Sequence, residues 1–394
     1  MLKLIEIKEL KPGMFIIDVS NTWSRKLSVP KKMYVLNTDF VQRLVNTGII
    51  EVFIDTSKTK DLSFTKIAEE KPKQNESFAL KSLLKQAFSI RLEIQNVISE
   101  LMNDAGSDKK INLTKARAAI KSVADFTLDN QFLLTGLVMM RRKSRYIFEH
   151  ALCSSVLMVA FAQENGFDTE TQQDYGIAAM LHDIGMLKVP SYVLNKRSDL
   201  TQDDIEQLQR HVAYGYITLK EIDGISDTIL KMASQHHERL DGTGYPLGLK
   251  GDQISIPGQM AAIIDVYNAA TSDRGYKKGI PPARAIAEIL LKSKTAFNRD
   301  LVNIFIRSVG IYPFGTLVSL GSGLIGIVVQ VEKDDLLHPV VRIIYNPSKG
   351  GMISPYNLAL QEHKNDQHLK IKGVVDKEKL FLQDEDIDKI LGVS

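Results

Sequence analysis

Starting at His236 the chain reads HHERLDGTGYP: two adjacent imidazoles, a run of charges and glycines, then a tyrosine set against a proline. Neighbouring residues of a helix point about 100° apart, so such a pair cannot serve one face of a packed core. Upstream, AAMLHDIGM places His182 beside Asp183 at the end of an apolar helical run, just before Gly185. A His-Asp step lets two ligands diverge toward two metals, or lets one carboxylate bridge both. Asp265 lies in the apolar run MAAIIDVYNAATSDR. An unpaired carboxylate is costly there, and buried charges survive by pairing or by holding a cation.

Five of the eight histidines (His150, His182, His211, His236 and His237) share one helical stretch with these carboxylates. A single helical histidine is more often structural than a ligand, and His150 in FEHALCSSV would be read that way alone. The set is read differently, because imidazole with carboxylate suits iron, manganese, zinc, cobalt or nickel. One cysteine in the whole chain argues against a structural zinc or an iron–sulfur site. Cys153 sits in an apolar helical stretch and is expected to be a buried thiol.

The elements that must position these groups give a mainly α fold. Residues 113–315 read as an almost wholly helical domain whose loops carry the unusual polar residues. Residues 1–60 read as a small α/β domain, in which MFIIDVS and EVFIDT are β-rich and TDFVQRLVNTG has helical spacing ended by Gly48. Residues 61–112 join a polar linker to the amphipathic helix FALKSLLKQAFSIRLEIQNVISELMND, a connecting rod, a homodimer seam, or a helix packed on its own domain. Residues 316–394 predict a short β element from TLVSLGSGLIGIVVQV and HPVVRIIYN, then an acidic tail, DEDIDKILGVS, expected to be mobile.

With 394 residues, 44% of them hydrophobic, the chain can bury a sizeable core. Its 50 basic and 47 acidic residues leave a net charge of +3, against DNA, RNA or membrane binding driven by bulk charge. MLKLIEIKEL lacks the features of a secretory signal, and ALCSSVLMVAFA is too short to span a bilayer. A soluble, cytoplasmic protein is expected.

HDIG together with HHERLDGTGYP resembles the HD-GYP subgroup of the HD phosphohydrolase superfamily. The likeness covers roughly residues 130–315, including VLNKRSDLTQDDIEQLQRHVAYGY and GLKGDQISIPGQMAAIIDVYNAATSDRGYKK, and residues 1–60 are similar to a small domain often found before HD-GYP domains. The resemblance implies a helical phosphodiesterase that opens the bacterial messenger cyclic di-GMP to pGpG, with GMP as a further product. It implies two divalent transition-metal ions, iron or manganese first, with zinc, cobalt or nickel as alternatives. His150, His182, Asp183 and Asp265 would hold one, and Asp183, His211, His236 and His237 the other. His182 and Asp183 would be catalytic through a hydroxide bridging the metals. In DGTGYP, Gly242 and Gly244 allow a sharp turn or a close approach, and Pro246 fixes the chain after Tyr245. Tyr245 is expected to contact substrate, and Arg274 and Lys277 to bind its phosphates.

Four positions depart from the family pattern: Met186 where Lys is common, Tyr146 where some members carry a Glu for a third metal, Asn268 where Asp is frequent, and Lys277 for a frequent Arg. Glu149 lies beside His150 instead. None removes a ligand of the two-metal set, but lower turnover or a related cyclic dinucleotide as substrate is expected from them. The alternative to an enzyme is a slow or inactive HD-GYP module that binds the nucleotide and signals to protein partners. A mononucleotide phosphohydrolase is a further alternative, against which the intact GYP argues.

Overall fold

The computed structural model describes residues 2–11, 14–20, 33–35, 38–46, 49–57, 74–107, 109–140, 146–196, 198–272, 279–349, 351–380 and 382–392. The chain divides into two compact units. One comprises Met1–Lys81, Leu317–Val329 and Val340–Ser394, and the other Ser82–Thr316 with Gln330–Pro339.

The first unit opens with β1 (Leu2–Glu6), β2 (Phe15–Ser20), β3 (Met33–Tyr34), α1 (Thr38–Asn46) and β4 (Glu51–Asp55). The strands form an antiparallel sheet in the order β1-β4-β2-β3, with Leu2 opposite Asp55 and Glu6 opposite Glu51. Alternate residues of β4, Val52 and Ile54, are buried with Ile5, Ile16, Val35 and Leu44, as a half-buried strand requires. Gly48, the expected stop signal for α1, lies outside the described residues.

The helical unit begins within α2 (Gln74–Gly106) and continues through α3 (Thr114–Met139), α4 (Tyr146–Glu164) and α5 (Thr169–Leu181). After a 3-10 turn at Ile184–Lys188 come α6 (Ser191–Leu194), α7 (Gln202–Gln209), α8 (His211–Lys220) and α9 (Asp227–Gln235), then α10 (Ile256–Thr271), α11 (Pro282–Lys292) and α12 (Arg299–Val309). The buried face of α2 runs Leu84, Ala87, Ile90, Ile94, Ile98 and Leu101, at spacings of three and four, and all but Leu84 join the main core cluster. That face packs on the helical domain. In α4 every residue from Ala151 to Ala162 is buried, the mark of a central helix; α3, α5, α10 and α12 pack around it. Side-chain caps start the site-bearing helices: Asp168 for α5, Thr201 for α7, Ser226 for α9 and Ser255 for α10.

The chain ends in β5 (Leu317–Leu320), β6 (Ile325–Glu332), β7 (Asp335–Asn346), β8 (Gly351–Ala359) and β9 (Ile371–Val374), ordered β8-β7-β6-β5-β9, and α13 (Asp384–Leu391). The acidic tail is therefore a helix, contrary to the mobile segment expected. Its Asp384, Glu385 and Asp386 favour a helix N-terminus, Ile387 and Leu391 are buried, and Arg342 donates to Ile390 O at 2.8 Å. Among the described residues no helix is long and apolar enough to cross a membrane.

Candidate metal centre

Three of the imidazoles stand where helices stop. His182 follows α5, His236 follows α9, and His211 opens α8 two residues after α7 ends. The last carbonyls of a helix lack intrahelical partners, and these rings supply them. Nδ1 lies 2.8 Å from Ala179 O in His182, 2.6 Å from Leu208 O in His211 and 2.9 Å from Ala233 O in His236. A carbonyl only accepts, so each Nδ1 carries a proton and each ring turns its Nε2 inward.

Gly185 brings two of these helix ends together. A Cβ there would stand 2.0 Å from His211 O and 2.3 Å from Gly215 N, so only glycine lets the HDIG turn lie flat on α8. His150 and Asp265 come from inside helices, α4 and α10. Asn268, one turn after Asp265, donates from Nδ2 to His150 O at 3.0 Å and to Ser154 Oγ at 2.8 Å. The expected effect of this residue, loss of a nearby carboxylate, is only half its role: an amide can donate to α4 where a carboxylate cannot.

Around Asp183 the groups converge. Oδ2 is 3.4 Å from His150 Nε2 and 3.7 Å from His182 Nε2, while Oδ1 is 3.3 Å from His211 Nε2 and 3.4 Å from His236 Nε2. Asp265 reaches His150 Nε2 through Oδ1 at 3.4 Å and His237 Nδ1 through Oδ2 at 3.5 Å. Pairs of Nε2 atoms face each other at 3.3 Å (His150 and His182) and 3.2 Å (His211 and His236). Two ligand sets result, His150, His182, Asp183 and Asp265, and Asp183, His211, His236 and His237, with all donor atoms of a set within 4.8 Å of one another. The seven residues gathered are those the sequence singled out.

The donor chemistry fits a cation. Oδ1 of Asp183 is buried and accepts no hydrogen bond among the described residues, although two imidazole nitrogens approach it. Lone pairs facing lone pairs in a largely buried cluster repel unless positive charge lies between them. Protonation agrees. Burial pulls the His182 pKa down to about 4 and holds His237 well below its usual value. Burial would raise Asp183 and Asp265, but the surrounding imidazoles outweigh it and keep both well below the carboxylate range. In His211, burial is outweighed by Asp183 and the pKa rises above the usual imidazole value.

Asp183, Asp265 and His237 keep 12%, 13% and 16% side-chain exposure, whereas the other imidazoles are buried, so the centre opens on that side. Tyr245 stands there, stacked on His237 with ring centroids 4.5 Å apart and planes 25° apart. Burial, then Asp265 and Asp183, raise its pKa and keep the hydroxyl protonated.

The glycines of DGTGYP serve the loop itself. Gly242 has φ of +81°, and a Cβ on Gly244 would lie 2.4 Å from Glu238 Cα and 2.5 Å from His237 O. Glu238 passed unnoticed in the sequence. It is buried, and its Oε1 and Oε2 accept from Leu247 N at 2.8 Å and Leu249 N at 3.0 Å, tying the loop to the two histidines. Its place directly after His237 was the available signal. Arg274 and Lys277 lie outside the described residues.

Residues 136–301 match the family described as HD domain, and residues 2–116 match a domain of unknown function, DUF3391. Cyclic di-GMP phosphodiesterase PA4108 of Pseudomonas aeruginosa is 31% identical over 359 residues, covering 88% of this chain and 86% of that protein. The chain belongs to the HD-GYP family. The 3'3'-cGAMP-specific phosphodiesterase 1 of Vibrio cholerae is 37% identical over 135 residues, 34% of this chain and 31% of that one. A solved HDG"Y"P protein, Bd1817 from Bdellovibrio bacteriovorus, aligns with a TM-score of 0.48 at 16% identity, over 77% of this chain and 98% of that one. This HD-GYP chain also shows where its departures sit. Met186 is half-buried, with its N–H donating to Asp183 O at 2.9 Å, and Lys188 is exposed. Glu149 is paired away from the cluster with Arg91, at 2.8 Å.

Proposed function

We propose that the protein hydrolyses cyclic di-GMP to the linear dinucleotide pGpG at a two-metal centre. The observation that carries this reading is the pair of ligand sets sharing Asp183. His150, His182, Asp183 and Asp265 would hold one ion, and Asp183, His211, His236 and His237 the other. Bound divalent cations supply Lewis-acid charge beside a phosphodiester and bring the pKa of water to near neutrality.

The chain's own residues prepare that chemistry. His182 and His237 kept neutral, with Asp183 and Asp265 kept ionised, are in the forms that bind cations. The open side beside His237 admits the nucleotide. Tyr245 presents its protonated hydroxyl there, and Glu238 holds the loop that carries it. Net hydrolysis adds water across one P–O bond of the ring: the phosphate keeps the new oxygen, and the 3'-oxygen leaves as a hydroxyl.

The second reading, a nucleotide-binding module with slow turnover, is favoured by Met186, which supplies no charge where the family pattern has a lysine. One preparation separates the two. Anaerobically purified protein, loaded with Mn²⁺ or Fe²⁺, should hold about two ions per chain and release pGpG. Tight cyclic di-GMP binding without product supports the module instead. Faster turnover of 3'3'-cGAMP in the same assay moves the substrate assignment, and failure to bind metal removes the two-metal reading.

A further inference from the structure

Arg91 and Glu149 form a buried ion pair beside the candidate centre without belonging to it. Their residues are 5% and 4% exposed, and Arg91 Nη2 donates to Glu149 Oε2 at 2.8 Å. Nη1 of the same guanidinium lies 3.1 Å from Leu137 O and 3.3 Å from Val138 O, carbonyls in the last turns of α3. One planar fork thus joins α2, the end of α3 and the first turns of α4.

Such a pair needs a reason beyond stability, because replacing a buried ion pair by apolar residues of similar volume is often neutral or stabilising. What buried polar contacts do well is fix one arrangement among several of similar energy. Here the element fixed is the start of α4, the apolar helix that is buried throughout from Ala151 to Ala162. Glu149 precedes His150 directly. The two side chains point about 100° apart, one toward Arg91 and one toward Asp183 and Asp265. Holding Glu149 therefore sets the direction in which His150 points.

We propose that Arg91 is a positioning residue of the metal centre, fixing the rotation of α4 through Glu149 and so the aim of His150. Arg91 lies within residues 2–116, the part that matches a domain of unknown function. That segment thereby contributes directly to the HD centre. Only arginine fits the task, since lysine carries its charge at a single point and cannot serve Glu149 and two α3 carbonyls together. The inference rests on the two-metal reading.

The test uses the full chain, titrated with Mn²⁺ alone and followed by electron paramagnetic resonance, with cyclic di-GMP turnover measured alongside. Arg91→Lys and Glu149→Gln are each compared with wild type well below their melting temperatures. Arg91→Lys is expected to weaken Mn²⁺ binding about tenfold and to lower kcat with KM within about twofold, because the substrate's own contacts stay in place. The spectrum of the loaded pair should change as well. Glu149→Gln, which keeps an acceptor for the fork, should lose less.

Wild-type affinity, spectrum and kcat in folded Arg91→Lys would overturn the proposal. A lower melting temperature with nothing else altered would do the same, leaving the pair a purely structural one. Should Arg91→Lys fail to fold, Glu149→Gln decides by the same readings. Wild-type protein that takes up no Mn²⁺ defeats the two-metal reading itself, an outcome distinct from two ions bound equally well by wild type and variant.

Discussion

His182, His211 and His236 are aimed by the carbonyls of the helix turns they follow, whereas His150 and Asp265 are aimed by the rotation of whole helices. The first group is locally determined: a ring at a helix end finds an unsatisfied acceptor within three residues, and its tautomer and direction follow. The second group has no such local device behind its direction. Asn268 bonds to α4 from 118 and 114 residues away in sequence, and Arg91 reaches Glu149 across 58. The directions of three imidazoles are therefore set by short segments, and those of His150 and Asp265 by the packing of α2, α4 and α10.

Asp183 belongs to both ligand sets, so removing it should erase the distinction. Asp183→Ala is expected to cut turnover by at least about 10⁴-fold and abolish stoichiometric metal binding. Metal analysis and product chromatography on one sample check this. Undiminished hydrolysis would mean that the chemistry lies elsewhere.

Gly185→Ala separates the two ligand sets. Its Cβ would meet backbone of His211 and Gly215 at 2.0 and 2.3 Å, with no flexible side chain to give way. The HDIG turn and α8 must part, at a stability cost of about 3 kcal/mol. Affinity for the ion held by His211, His236 and His237 should fall about 100-fold. The other ion should be retained better, and two-site metal titration would show the asymmetry. Equal loss at both sites would mean that the turn moves with its own His182 and Asp183, rather than α8 yielding alone.

The same division explains what could be read before folding. In the helix-end group His182 and His236 are written in contiguous words, HDIG and HHERLDGTGYP, whose family resemblance implies the ligands, and His211 falls in the similar stretch QRHVAYGY. His150 looked unremarkable alone, Asp265 stood out only as a carboxylate in an apolar run, and both gained their meaning from the set. Arg91 lay in what read as a rod, a dimer seam or a helix packed on its own domain, because periodicity reveals an apolar face without naming its occupant. Asn268 read as a missing carboxylate, since its partners on α4 are set by tertiary packing. Glu238 was adjacent to the histidines yet silent, because its acceptors' partners, Leu247 N and Leu249 N, depend on how the loop closes. The acidic tail misled for a related reason. Its charges suggested solvent, but Ile387 and Leu391 fall one turn apart and bury together.

Asn268→Asp probes the packed half from the α10 side. An ionised carboxylate would face His150 O with nothing to donate, so α10 should move away from α4. Metal affinity at the set containing His150 and Asp265 is expected to drop about tenfold, while the His211 set changes little. That is the reverse of the Gly185→Ala pattern, and the same titration reads both.

Ser154→Ala is the mildest version of that experiment. It removes the acceptor 2.8 Å from Asn268 Nδ2 but leaves the bond to His150 O at 3.0 Å. One buried hydrogen bond is worth about 1 kcal/mol, which chemical denaturation can resolve. If α4 is held in rotation by polar contacts, metal affinity should slip by about twofold, at the His150 set alone. If the melting temperature falls and the metal titration is unchanged, the bond to His150 O is sufficient by itself. The aim of His150 would then depend on a single backbone contact from α10 together with Glu149, rather than on the pair of bonds Asn268 makes.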